Sequence, residues 1–262
     1  MRATRRAARA GGDDADPGRA IRVLLCRCTI VAASLAAAAG ARAQVSGVIG
    51  VDSQNRYRGL ATDDVGAVLH ASVMADTPAY LYAGLSGIWR LHDGALANAD
   101  AIMGFSGRFS DIASLRSIDA AWGWDIGVHR RHYGENTDYD FSELMAGLLG
   151  PGFSARVWWS PSYFGQPYTS LYGEVNAAHE FGEHWRVFAH VGVLRYGTFS
   201  PPWPGGTNRV PGRTDGLAGG AYVTGPWELR VARDGLLAGE PFPGTPPSQR
   251  GPGWIVSASY AF

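Results

Sequence analysis

The chain contains no lysine, and its only two cysteines, Cys26 and Cys28, stand close together near the front. Beyond them nothing can build a disulfide framework or a thiolate-ligated metal site. Past residue 44 no uninterrupted apolar run approaches the roughly 18 residues that mark a transmembrane helix. A Gly-x-Ser-x-Gly elbow is missing: Gly84-Leu85-Ser86-Gly87 and Gly104-Phe105-Ser106-Gly107 lack the spacing that presents a nucleophilic serine. The seven histidines include no His-x-His or His-x-x-x-His pair. His70 and Ser72 share a strand face, as a base and a nucleophile would, but the sequence shows no acid to orient them. These absences argue against an enzyme and leave no catalytic, cofactor-binding or metal-ligating residue to nominate.

What is present begins with an export signal. Residues 21–44 read IRVLLCRCTIVAASLAAAAGARAQ. Arg19, Arg22 and Arg27 form a basic flank, Thr29 to Gly40 an Ala-rich apolar run, and Ala41-Arg42-Ala43 a small-x-small site. That order predicts a secretory signal peptide over 1–43, with a long basic leader, followed by one domain over 44–262. Cleavage removes both cysteines and eight arginines but only three acids, leaving fifteen arginines against twenty acids. A net charge of about −5 argues against a nucleic-acid partner.

The rest of the chain alternates. Residues 153–159 set Phe153, Ala155, Val157 and Trp159 against Ser154, Arg156 and Trp158. Residues 185–193 set Trp185, Val187, Ala189, Val191 and Val193 against Arg186, Phe188, His190 and Gly192. In 120–128 one face holds Ala120, Trp122, Trp124, Ile126 and Val128. Successive side chains of a strand point to opposite faces, so each segment is a strand with one apolar face. About twelve such segments occur, near 45–51, 67–75, 79–88, 100–110, 117–129, 139–149, 153–160, 168–178, 184–195, 215–224, 226–234 and 253–262. Short links (76–78, the stretch after Ser110, 150–152, around 181–183, 225–226) alternate with long ones near 52–66, 89–99, 130–138, 161–167, 196–214 and 235–252. That rhythm is an up-and-down meander.

A soluble sandwich would show a clearly polar outer face. Here the less apolar faces hold many Gly, Ala and Ser and few charges, while Trp159, Trp185, Trp227, Trp254, Tyr260 and Phe262 gather near strand ends. Aromatic residues at strand ends match the interfacial girdles of an outer-membrane barrel, and in lipid the meander must close. The fold class predicted is therefore all-β: a transmembrane antiparallel up-and-down β-barrel in the outer membrane of a Gram-negative bacterium, with membrane lipid and lipopolysaccharide as its surroundings. The Pro-rich segments at 200–206 and 240–247 and the cluster His129 to His132 read as loops at the outer edge. By resemblance to outer-membrane proteins, the alternating stretch that ends in Tyr260 and Phe262 looks like a signal for the assembly machinery.

If the apolar faces meet lipid, the interior receives Asp119, Asp125, Glu143, Arg156, Glu174, Arg186, Glu228 and Arg230. Charges of both signs on neighbouring strands can line a pore or pair off and fill the interior. Around twelve strands enclose more room than the roughly eight whose side chains fill the bore, which favours a pore.

Several segments resemble the TorF family of porin-like bacterial outer-membrane proteins. That family's first strand leads into a motif like S-D-Y-R-F-R-G. Here Arg56-Tyr57-Arg58-Gly59 carries its core, without the preceding Asp-Tyr. Tyr139-Asp140-Phe141-Ser142-Glu143, Tyr163-Phe164-Gly165 and Tyr172-Gly173-Glu174-Val175-Asn176 follow at similar spacing. The resemblance implies a barrel and small-solute passage. It supplies no substrate and no catalytic residue. Arg56 and Arg58 are read either as anchors of their loop or as positive charges at the outer mouth. The expected function is a porin-like channel for small polar or charged solutes, the alternative a non-conducting barrel that presents long outer loops.

Overall fold

The computed structural model describes residues 43–62, 66–197, 212–241 and 245–262. Residues 1–42 of the expected signal peptide, the Pro-rich segment 200–206 and residues 242–244 of the Pro-rich segment 240–247 lie outside the described residues. Strands are β1 (Gln44–Asp52), β2 (Arg56–Tyr57), β3 (Leu60–Ala61), β4 (Val68–Asp76), β5 (Leu81–Arg90), β6 (Leu96–Arg108) and β7 (Gly123–Tyr133). They continue as β8 (Phe141–Gly150), β9 (Phe153–Ser160), β10 (Ser170–Phe181), β11 (Trp185–Tyr196), β12 (Arg213–Thr224), β13 (Trp227–Gly239) and β14 (Gly253–Ala261). All but β2 and β3 join one closed barrel of twelve antiparallel strands, each paired with its sequence neighbour and β1 paired with β14. Closure matters physically: an open edge would leave backbone N–H and C=O groups unpaired in hydrocarbon.

The alternation sorts as the sequence reading requires. Val187 and Val191 on β11, Leu229 and Val231 on β13, and Trp254 and Val256 on β14 are exposed, forming the outer wall. A wall of exposed Val and Leu is unfavourable in water and favourable against acyl chains. Aromatic rings mark both ends of this belt. Trp185 meets Tyr222 (5.2 Å) and Trp227 meets Tyr260 (5.0 Å) at the short-turn end. Trp159 and Trp254 stand exposed at the other. Phe262, 66% exposed, belongs to the first group through the backbone bonds it exchanges with Gly47.

Turn chemistry explains the tightest link. Between β8 and β9 the chain reverses over Pro151-Gly152; proline presets its own φ, and Gly152 takes φ +63° without the Cβ clash other residues would meet. Two links depart from the expected rhythm. Residues 91–95, expected as part of a long loop over 89–99, form a short connection because β5 and β6 extend toward each other. Residues 109–122, expected as a short link followed by a strand from 117, form a long connection with 3-10 turns at Phe109–Asp111 and Ala113–Leu115. Ala120 and Trp122 keep the two-residue period of β7 by coincidence of composition: Trp122 lies before the strand, its ring 6.1 Å from that of Phe153.

The buried core sits inside the barrel, at the long-link end. It comprises Phe141 of β8, Tyr163 and Tyr168 of the 161–169 link, Tyr172 of β10 and Leu194 of β11. Tyr57 of β2, Tyr133, Trp158, Phe164 and Tyr196 pack against it.

Candidate functional site: the barrel interior

Seven of the eight charged residues assigned to the interior from sequence face it. Asp125, Glu143, Arg156, Glu174, Arg186, Glu228 and Arg230 alternate with the exposed apolar positions of their strands. Asp119 is the correction. It lies in the 109–122 connection, exposed, where its carboxylate accepts from the Ala121 N–H at 2.9 Å. It caps a turn and lines no pore.

The ion pairs skip a strand where the strand between carries a small residue. Arg156 Nε donates to Asp125 Oδ2 at 3.0 Å, from β9 to β7. Gly147 of β8 stands in register between them, and a Cβ there would lie 1.9 Å from Asp125 Oδ1. Likewise Arg186 of β11 reaches Glu228 of β13 at 2.8 Å, with Ala221 of β12 opposite Arg186. Arg230 stands 3.6 Å from the same Glu228 and stacks over Phe188 at 4.5 Å. Glu174 lies opposite Arg156 in register, yet no ion pair is found for it among the described residues.

Three lumen histidines each sit against an aspartate, which the sequence reading missed. His70 Nδ1 lies 2.8 Å from Asp52, His129 Nε2 3.0 Å from Asp100, and His190 Nε2 3.0 Å from Asp215. Asp100 also takes a bidentate pair from Arg131 at 2.7 and 2.9 Å. Tyr172 donates to Asp215 at 3.0 Å. Strand parity could have found these: His129 and Arg131 point inward while Arg130 and His132 point outward to meet Asp140, so the four never form one loop-edge cluster. His70 does have an acid beside it, but Ser72 makes no hydrogen bond to its ring among the described residues.

The largest departure from a plain barrel is the segment after β1. Strands β2 and β3 form a hairpin that lies inside the bore. Its two-residue turn is Arg58-Gly59, at φ +49° and +79°. Positive φ at both central residues is the type I′ signature, whose twist matches a hairpin. Gly59 is required twice, because a Cβ there would also lie 2.6 Å from that of Asp215. Arg56 Nε pairs with Asp234 of β13 at 2.5 Å, and Arg58 pairs with Glu143 of β8 at 2.9 Å. The Arg58 guanidinium lies 4.0 Å from the Tyr172 ring centre, and that of Arg131 3.9 Å from Tyr57. Both hairpin arginines are buried and paired, so neither stands free at a mouth.

Below the hairpin runs a chamber of about 570 Å³. It extends from Gly150 and Phe153 at the short-turn end, past Asn176 and His190, to Arg56 and Arg58. A second chamber of about 510 Å³ lies along β1 and β4–β7, lined by Ser72, Ser86, Asp100 and His129.

At the rim of the long-link end, Arg90 ties two links together by pairing with Asp93 and Glu135. The Arg90 guanidinium and the Ala95 N–H hold the Asp93 carboxyl down at about 2. A carboxyl depressed on folding stabilises the folded link above its unfolded value near pH 4, and that contribution is lost as pH falls through about 2. A carboxyl-carbon NMR titration in micelles should therefore give Asp93 a midpoint near 2. A midpoint near 4 would mean that the clip does not form.

No protein-family model matches the chain, and no curated protein matches its sequence. Solved structures do match. The KdgM porin superposes with a TM-score of 0.50 at 8% identity, over 83% of this chain and 99% of its own. The NanC porin gives a TM-score of 0.53, also at 8% identity, over 84% of this chain and 99% of its own. The likeness is one of fold: the closed twelve-stranded barrel described above is similar to the folds of these two porins.

Proposed function

We propose that the protein is an outer-membrane channel of narrow bore for small polar or charged solutes, as its resemblance to the TorF family implies. The observation that carries this reading is the chamber reaching from the short-turn end to the hairpin, whose lining includes charged and polar side chains. A bore lined by His190, Asn176, Asp215 and Arg230 offers hydrogen bonds and charge in exchange for water, which a conducting path requires. The apolar wall with aromatic ends would sit in the outer membrane of a Gram-negative bacterium, its outer end among lipopolysaccharide. Tyr260 and Phe262, outward on β14, are the residues we assign to recognition by the assembly machinery.

A second reading, a barrel that conducts nothing and presents its outer links, draws support from the hairpin lying inside the bore. Planar-bilayer recording of the refolded protein separates the two. Discrete conductance steps are expected, with a reversal potential in a salt gradient that moves toward anion preference in Glu174→Gln. That shift follows because Glu174 is a lumen carboxylate without an ion pair among the described residues. Inserted protein that stays silent would favour the second reading.

A further inference from the structure

The chamber ends at the hairpin, and the way the hairpin is held differs from the way the barrel is held. Every barrel strand is locked to two neighbours by backbone ladders. Strands β2 and β3 pair only with each other, Arg56 with Ala61 and Tyr57 with Leu60. What fixes them to the wall is side-chain chemistry at opposite flanks. Arg56 is bound by Asp234 on β13 and by the Gly251 carbonyl at 2.7 Å. Arg58 is bound by both oxygens of Glu143 on β8, at 3.0 and 2.9 Å. Strand β13 lies two strands from β1 in one direction and β8 five in the other, so the two tethers pull the hairpin across the bore.

The tip is also strained. Arg58 holds φ +49°, a value that non-glycine residues avoid unless their surroundings enforce it. Those surroundings are Glu143 and the rings of Tyr57, Tyr163 and Tyr172. Releasing Arg58 from Glu143 removes the charged constraint on the tip and breaks no rung of the sheet. A segment held to a rigid wall by side chains alone, two ion pairs and the packing of Tyr57 against the aromatic core and Arg131, and joined to the rest of the chain by its own ends, has the construction of a latch.

We infer that the β2–β3 hairpin is a gate, held shut by Arg58–Glu143 and Arg56–Asp234, whose release joins the chamber to the long-link end. This rests on the channel reading above. In the closed position Arg56, Arg58 and Gly59 form the end wall of the chamber. Swung outward, the hairpin removes that wall and takes two positive charges from the bore.

The test compares four proteins in planar bilayers: the parent, Glu143→Gln, the charge swap Arg58→Glu with Glu143→Arg, and a variant whose residues 55–61 are replaced by a short Gly-Ser link. Heat-modifiable migration confirms that each barrel is folded. Time-averaged conductance should rise by roughly threefold or more in Glu143→Gln and further in the hairpin-less variant, because the narrowest part of a bore dominates its resistance. The charge swap should return conductance toward the parent value, which a purely structural loss would not do. A conducting parent with equal conductance in all folded variants overturns the gate and leaves the channel intact. Silence in both the parent and the hairpin-less variant overturns the gate and the channel together. If Glu143→Gln fails to fold, the hairpin-less protein decides, since it removes Arg58 along with the need for its partner.

Discussion

Asp100→Ala should destabilise the barrel by about 3–5 kcal/mol, the usual consequence of stranding one member of a buried ion pair. Asp100 on β6 faces Arg131 on β7 in direct register and receives both its Nε and an Nη at 2.7 and 2.9 Å. The Arg131 side chain is 11% exposed and lies over Tyr57, so it has little water to turn to. Unlike the hairpin arginines, it sits on a strand locked into the sheet and has no way out. His129, 3.0 Å from the same carboxylate, keeps only Glu143, 3.6 Å from its other ring nitrogen. Denaturant titration of the protein folded into lipid vesicles, followed by tryptophan emission, measures the loss. Asp100→Asn, which keeps an acceptor in place, should lose less than Asp100→Ala. A loss under about 1 kcal/mol for the alanine variant would mean that the pair is solvated and behaves as a surface bridge.

The second large effect tests which face of the sheet meets lipid. Val191→Arg should cost about 2–4 kcal/mol if the middle of β11 lies near the bilayer midplane. Val191 is 48% exposed on the outer wall and stands opposite Val175 of β10, itself 44% exposed. Leu217→Arg is the control. Leu217 lines the interior chamber, where a guanidinium finds Asp234 opposite in register and polar neighbours. The outward arginine should cost clearly more than the inward one. The reverse order, measured by the same titration, would turn the barrel inside out and return the soluble reading.

Alternation was the legible part of the sequence because burial inside a barrel imposes a strict period of two, and lipid outside imposes it again. That double constraint on Trp185–Tyr196 and Phe153–Ser160 leaves little freedom for another reading. The start of β7 was misread for the same reason. Ala120 and Trp122 continue the period into a link, so nothing in the pattern marks Gly123 as the first paired residue. Asp119 was carried into the interior by that error. Interior pairing was half legible. Strand parity identified Arg156, Asp125, Arg186 and Glu228, but not that partners meet across Gly147 and Ala221, which needs the register of three strands at once. The partners of Arg56 and Arg58 were out of reach. They lie 178 and 85 residues away in sequence and depend on a loop folding inward, a choice that leaves no periodic trace.

The join between the first and last strands gives the barrel a weak side. The register there runs only from Val48 opposite Ala261 to Asp52 opposite Ser257, extended by the bonds between Gly47 and Phe262. Strand β14 meets β13 over the longer run Trp227 to Asp234, and β4 meets β1 over Gln44 to Asp52. Every other barrel pairing joins strands that follow one another along the chain, β1 and β4 across the β2–β3 hairpin, while this one unites segments from opposite ends of the domain. Until this seam forms, a sheet with every other pairing in place keeps two bare edges. Those edges match each other, whichever copy supplies them. The order in which the ladder is finished thus decides between a monomer and a chain of sheets joined edge to edge, and amide exchange in the assembled protein should begin along this seam.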